Sequence, residues 1–296
     1  MGTKLRRQRI SWLDSSPDVD GDATAFLADL ERQVVEVLTS MGPATGNRLA
    51  DTVAGLRVQF DPAPGKAYAR PMRVTSRVRE LLAAECHIVR GRPTGDLTSG
   101  SWIWAAMDDW IAGGLPAIDP VRALAELVEG YLAAFGPATI TDITWWTGIG
   151  KTRVRGALQT IAAVEVVLES CDDPGWILPG DDLEVAATDG PQVALLPGLD
   201  PTTMGWKQRS WYVDDAPAAG LFDRTANAGP TVWVDGRVVG AWTQRSDGSV
   251  AIETLVDVGT DTLAARDAEA ARITAWLGDV RVKWRYPTPR SEQLAG

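Results

Sequence analysis

Two tetrads of one pattern, Ser76-Arg-Val-Arg79 and Thr152-Arg-Val-Arg155, a hydroxyl residue before Arg-Val-Arg, carry the residues of this chain best suited to hold a ligand. A guanidinium presents its N–H donors in a rigid fork that fits phosphate oxygens and the acceptor edge of guanine, so the chemistry implied is the grip of a polyanion rather than bond making. Arg73, Arg77, Arg79, Arg90 and Arg92 form the favoured set, and Lys151, Arg153 and Arg155 are their counterparts. The second set carries Asp172 and Asp173 downstream, where a phosphate would sit, which weighs against it. The competing role is the ordinary one, a solvated surface charge.

Other chemistries find little support. His87 is the one histidine, which leaves a hydrolytic triad or an imidazole acid–base pair nothing to build on. Gly150-Lys-Thr152 spells the end of a phosphate-binding loop, but the motif's first glycine would fall at Trp145, and a helix rather than a strand precedes it. Asp172-Asp173, Asp181-Asp182 and Asp214-Asp215 lie beside Pro or Gly, where aspartate stabilises turns. Cys86 and Cys171 have neither disulfide nor zinc spacing. No catalytic residue, metal or cofactor is therefore expected. Most of the 13 tryptophans have apolar neighbours, as at Trp145, Trp146, Trp233, Trp242 and Trp276, and are expected in the core. Trp206 and Trp211, in a polar irregular stretch, are the candidates to face a ligand.

The elements that must position the arginines occur twice. Gly42-Pro-Ala-Thr45 returns as Gly136-Pro-Ala-Thr139, and the offsets of 94 and 76 residues between landmarks give the first copy 18 extra residues, read as a loop inserted over Gly55 to Pro71. In each copy an amphipathic helix (Ala23 to Thr39; Val121 to Phe135) meets a Gly-Pro break. A threonine then caps a short helix, with capping-box spacing at Thr139 to Asp142. A basic third helix (Met72 to Glu85; Lys151 to Ala162) and two strands joined by a turn complete the unit. The strands are His87 to Pro93 and Ser101 to Ala105 in one copy, Ala163 to Leu168 and Gly175 to Leu178 in the other. This is the order of a winged helix, a helix-turn-helix fold whose third helix enters the major groove. The plainer alternative is a pair of helical hairpins with no nucleic-acid role.

From Gln192 the pattern turns to β. Val193 to Leu196, Thr231 to Val234, Arg237 to Trp242 and Val250 to Leu255 read as strands, with Asp235-Gly236 as a two-residue hairpin turn. A helix over Thr260 to Leu277 and a last strand over Val280 to Tyr286 finish the domain. The expected fold is thus α+β: tandem winged-helix units, then an α+β domain with an antiparallel meander. The divisions are a basic tail over 1–21, winged helices over 22–110 and 119–190, and the last domain over 191–296.

A chain of 296 residues suffices for two or three domains, and no run of apolar residues suits a membrane span or a secretory signal. A reducing cytoplasm is the default, and nothing bears on oligomeric state. The net charge of −10 opposes nucleic-acid binding, yet Gly42 to Ala106 holds nine Lys/Arg against five Asp/Glu. A locally basic face on an acidic body binds in a salt-sensitive way.

Leu195-Leu-Pro-Gly-Leu-Asp-Pro201, Leu221-Phe-Asp223 and Val234-Asp-Gly-Arg-Val-Val-Gly240, placed after two Gly-Pro-Ala-Thr units, resemble bacterial winged-helix DNA-binding proteins related to the AlkZ/YcaQ DNA glycosylases. The resemblance runs from about Ala23 to Leu294 and implies double-stranded DNA as partner and excision of alkylated or crosslinked bases as activity. That family's catalytic signature, glutamine, an apolar residue, then a polar residue, belongs ahead of the region matched. No Gln-x-Gln occurs in this chain, and Gln59-Phe-Asp61 shares the variant spelling but falls in the inserted stretch. The alternatives are a non-catalytic DNA-binding regulator or damage sensor, and a protein-interaction scaffold.

Overall fold

The structure is a computed structural model that describes every residue except 1, 64, 67–69, 96–98, 170, 182–188, 215–218 and 285. Asp182 and Asp215 of the acidic pairs, and part of the turn expected over Thr94 to Gly100, therefore lie outside the described residues. The fold is mixed α+β with antiparallel sheets, and the chain divides into two compact units, Met1–Ala117 and Ile118–Gly296.

In the first unit, helix α1 (Gly2–Asp14) corrects the expected tail: Leu13 is fully buried in the unit's core, with Leu5, Ile10 and Trp12 packed against it. Helix α2 (Ala23–Met41) starts where the Asp22 carboxylate accepts from the Thr24 amide and buries Leu27, Leu30, Val34 and Leu38 on one stripe. It ends at Gly42, whose φ of 80° lies in the region that favours glycine. Strand β1 (Ala44–Thr45) leads into α3 (Gly46–Thr52), capped by the Thr45 hydroxyl, which accepts from the Arg48 amide.

The inserted stretch is not all loop. A 3₁₀ turn (Ala54–Arg57) precedes an antiparallel pair, β2 (Gln59–Phe60) and β3 (Met72–Arg73), and Phe60 stacks on Trp12 with ring centroids 4.8 Å apart. Helix α4 consequently spans Thr75–Ala84 rather than starting at Met72, and the buried Thr75 hydroxyl donates to the Leu56 carbonyl at 2.6 Å. Strands β4 (Ile88–Pro93) and β5 (Trp102–Ala106) pair antiparallel and β1 joins β5, giving the order β1-β5-β4. A short α5 (Met107–Trp110) follows.

The second unit repeats the order. Helix α6 (Pro120–Phe135), capped by Asp119, buries Leu124, Val128, Tyr131 and Leu132. Strand β6 (Ala138–Thr139) precedes α7 (Ile140–Thr147), where Thr139 and Asp142 form the anticipated reciprocal capping box and Gly148, with φ 68°, closes the helix. Helix α8 (Lys151–Thr160), β7 (Val164–Val166) and β8 (Gly175–Ile177) complete a sheet of order β6-β8-β7. Ala44 faces Trp104 across β1 and β5, and Ala138 faces Trp176 across β6 and β8, so the repeat extends to register.

Strands β9 (Val193–Leu196), β10 (Thr231–Val234), β11 (Arg237–Gln244) and β12 (Val250–Thr254) form a sheet of order β12-β11-β10-β9. Asp235 and Gly236 both have positive φ, as a tight two-residue hairpin demands. Helix α9 (Thr260–Leu277) matches expectation, and α10 (Pro289–Ala295) was not anticipated. The described residues of the segment 280–286 do not form the expected strand. They are held by side chains instead: Gln244 bonds Val280 and Val282, and the Trp284 indole donates to the Thr243 hydroxyl.

Residues 119–190 and 191–296, expected as separate domains, share one core in which Val128, Leu132, Val154 and Leu158 pack with Trp206, Tyr212, Leu221 and Trp233. Polar stitches accompany it. Tyr131 donates to the Gly205 carbonyl at 2.8 Å, and the Trp206 indole to the Phe135 carbonyl at 2.9 Å. Burial, with the Asp142 charge behind it, pushes the Tyr131 phenol well above its ordinary pKa, and burial raises Tyr212 to about 12. A side chain at Gly205 would meet the Phe135 ring at 2.6 Å, which is why glycine stands there.

Candidate functional site

The two basic helices present their cations differently. On α4 the buried stripe is Thr75, Val78, Leu81 and Leu82, with Arg77 and Arg79 on opposite flanks. Arg77 donates to Glu80 at 3.0 Å, and its Nε is buried without a partner. That flank is occupied by α1: Arg9, only 2% exposed, donates to the same Glu80 at 2.7 Å and lies 4.5 Å from the Trp12 ring centre. Desolvation lowers the Arg9 pKa, and Glu80 acts in the other direction. Arg6 strengthens the α1 contact through Glu31 and Glu85, whose hydrogen bonds raise its pKa.

Arg79 is turned inward on the other flank. Its guanidinium lies 5.1 Å from the Trp104 ring centre, its Nε donates to the Thr75 carbonyl at 3.3 Å, and burial lowers its pKa. The slot exists because position 46 is glycine: a Cβ there would come within 2.2 Å of the guanidinium. Arg73 on β3 and Arg92 on β4 are exposed and make no side-chain hydrogen bond or ion pair among the described residues. Arg90 is exposed too and lies over the Trp102 ring at 4.5 Å.

On α8 the buried stripe is Val154, Ala157 and Leu158, and Lys151, Arg153 and Arg155 are all exposed without a side-chain partner among the described residues. The repeat explains the contrast. Carrying Gly46 forward by the Gly-Pro-Ala-Thr offset gives Ile140, and carrying Arg79 forward by the tetrad offset gives Arg155. With a branched side chain in place of the glycine, the slot that shelters Arg79 is closed to Arg155. Arg153, the counterpart of Arg77, has no acidic partner on its own flank, since position 156, which corresponds to Glu80, is Gly156.

Sequence reasoning missed Arg9, Trp12 and Glu80 as fixtures of the first basic helix. The signal was there in Leu5, Arg9, Trp12 and Leu13 at helical spacing, masked by the run of positive charge. It missed Asp142 as more than a cap. This 2% exposed carboxylate accepts the Thr139 amide and hydroxyl on one oxygen and the Lys207 and Gln208 amides, at 2.8 and 2.9 Å, on the other. The tryptophan expectations are revised as well. Trp206 is 8% exposed and belongs to the core, Trp276 is 76% exposed, and Trp145 and Trp146 are exposed on α7; Trp211, at 39%, fits expectation.

Among the described residues no cluster of three or more His, Cys, Asp or Glu side chains could hold a metal ion, and no helix is long and apolar enough to cross a membrane. The molecule is thus a mixed α+β protein with a repeated α-β-α-α-β-β unit and a four-stranded antiparallel sheet. Over residues 4–276 the chain matches the family described as DNA glycosylase AlkZ-like, and it belongs to that family. It is 28% identical over 183 residues to the interstrand DNA cross-link repair glycosylase of Streptomyces sahachiroi, an alignment covering 60% of this chain and 48% of that protein. The chain therefore spans about half the length of this relative. The solved structure of Streptomyces sahachiroi DNA glycosylase AlkZ superposes with a TM-score of 0.63 at 18% identity, covering 93% of this chain and 75% of the other. That likeness establishes a shared fold.

Proposed function

We propose that this chain binds double-stranded DNA through its two repeated units, each acting as a winged helix, and that it serves in the repair of alkylated or crosslinked bases. The observation that carries the reading is the state of α8, where Lys151, Arg153 and Arg155 project from the third helix of the unit with no partner among the described residues. A cation left uncompensated on the element that would enter a groove is available to phosphate and to the guanine edge. Membership of a family named for DNA glycosylases, and a relative named for cross-link repair, supply the class of reaction.

In this reading α8 contributes more than α4. Arg77 and Arg79 are held by Glu80 and by the Gly46 slot, while Arg73, Arg90 and Arg92 supply the free charge of the first unit. The exposed Asp172 and Asp173 turn holds part of the second wing away from phosphate. The division of labour is that α8 enters the groove and the β4 cations contact backbone. The protein acts in the cytoplasm, where bacterial DNA is found, and needs no metal or cofactor.

Duplex titration at several salt concentrations tests the binding: a linear fall of log affinity with log salt is expected, and salt-independent or absent binding overturns it. Base release from alkylated duplex, without added metal or nucleotide, tests excision separately. A second reading is a DNA-binding protein that does not itself excise, for which binding without base release is the expected result.

A further inference from the structure

A cavity of about 640 Å³ opens in the second unit between the Gly136-Pro137 break, the segment from Trp206 to Val213 and the turn from Phe222 to Ala226. Its volume falls within the range of small-molecule sites, roughly 300 to 1,000 Å³. Trp206, Trp211 and Phe222 give it aromatic walls, and Trp211 is 39% exposed where it lines the space.

Charge in the cavity is unbalanced at one residue. Arg209 is half-buried with its guanidinium 4.4 Å from the Phe222 ring centre; one nitrogen donates to the Ala226 carbonyl, another reaches the Met204 sulfur at 3.6 Å, and Nε is buried without a partner. No carboxylate lies within ion-pair distance of it among the described residues. The two carboxylates lining the space are already engaged, Asp142 as described and Asp223 by the amides and side chains of Thr225 and Asn227. Asp223 is held at about 2, chiefly by the Asn227 amide, so it stays an acceptor committed to its own turn. The exposed Arg224 adds a second cation at the rim.

An aromatic wall beside an uncompensated guanidinium suits a ligand that is flat at one end and anionic at the other. Gln208 and Ser210, whose side chains make no hydrogen bond among the described residues, add a donor and an acceptor at the cavity edge, the pairing that base edges present. We infer that this cavity binds a nucleotide, with the base against Trp211 and the phosphate at Arg209. The nucleotide comes either free from solution or as an unstacked unit of a DNA strand. The inference shares with the preceding reading the expectation of a nucleic-acid ligand, but it uses none of the same cations.

The test uses 2-aminopurine deoxyribonucleoside 5′-monophosphate, whose emission is excited apart from tryptophan and is quenched on stacking, with the full chain. Saturable quenching is expected, together with protection of the lining Cys171 from alkylation while the exposed Cys86 stays reactive. Arg209→Gln and Trp211→Leu should each weaken binding about tenfold, and the phosphate-free nucleoside should bind about tenfold more weakly to the unaltered protein. The nucleoside comparison stands whether or not Arg209→Gln folds. The Lys151, Arg153 and Arg155 alanine variant should bind the free nucleotide unchanged, which separates this outcome from failure of duplex binding. A saturable change in the emission of 2-aminopurine placed opposite an abasic site in duplex, without quenching of the free nucleotide, assigns the strand as the source; the converse assigns the free nucleotide. No saturable emission change in either form, an emission change without Cys171 protection, or equal affinity for nucleoside and nucleotide overturns the inference.

Discussion

Replacing Lys151, Arg153 and Arg155 together by alanine removes three exposed cations from α8 while leaving the buried stripe of Val154, Ala157 and Leu158 intact. None of the three makes an ion pair or side-chain hydrogen bond among the described residues, so folding stability should change little. If each neutralises one phosphate of a bound duplex, the slope of log affinity against log salt flattens by ~0.9 per cation, about 2.7 in all. Between 50 and 200 mM salt that amounts to roughly 40-fold less loss of affinity than in the unaltered protein. Fluorescence anisotropy of a labelled duplex across this salt series measures it. Arg77→Ala is the internal contrast. Its guanidinium is held by Glu80, so the slope should barely move, while losing its place beside Arg9 and Trp12 lowers the melting temperature. A triple variant whose slope and affinity match the parent refutes the assignment of α8 as the contact surface.

Three further outcomes follow from the same geometry. Gly46→Ile should expel Arg79 from its slot and make the first unit resemble the second, steepening the salt slope by ~0.9 with little loss of stability, since the clash is with the far end of a flexible side chain; an unchanged slope argues against the slot as what restrains Arg79. Asp142→Asn places an amide N–H₂ against the Thr139 donors and should cost about 2 kcal/mol, read as a lower midpoint in urea unfolding, and a neutral result would show that the capping network contributes little. Asp223 should titrate near 2 by carbon NMR. Because its folded pKa lies below the unfolded value of about 3.9, its contribution to stability is complete above that value and disappears as pH falls through about 2. Titration at an ordinary carboxylate pKa would show that the turn from Asp223 to Asn227 does not hold it.

Much of this molecule was legible in its amino-acid order because local rules govern it. The Gly-Pro breaks, the threonine caps, the Thr139 and Asp142 capping box, the Asp235-Gly236 hairpin and the periodic helices are set by conformational preferences of a few adjacent residues, and they stand where those preferences place them. The recurring order of elements was visible for the same reason, since a recurring spelling favours a recurring sequence of elements.

What only the tertiary structure decided is where each charge goes. Identical Arg-Val-Arg triplets end in opposite states because their surroundings come from distant positions: Gly46 opens a slot for Arg79, α1 brings Arg9 against Glu80 beside Arg77, and Ile140 and Gly156 leave Arg155 and Arg153 in solvent. The arrangement of the described residues of 280–286 has the same cause, since they are tied to the sheet by the distant side chains of Gln244 and Thr243 rather than by a backbone ladder. Backbone conformation answers to neighbours in sequence, whereas the pairing of a cation, the tying of a segment to a sheet and the opening of a cavity answer to neighbours in space.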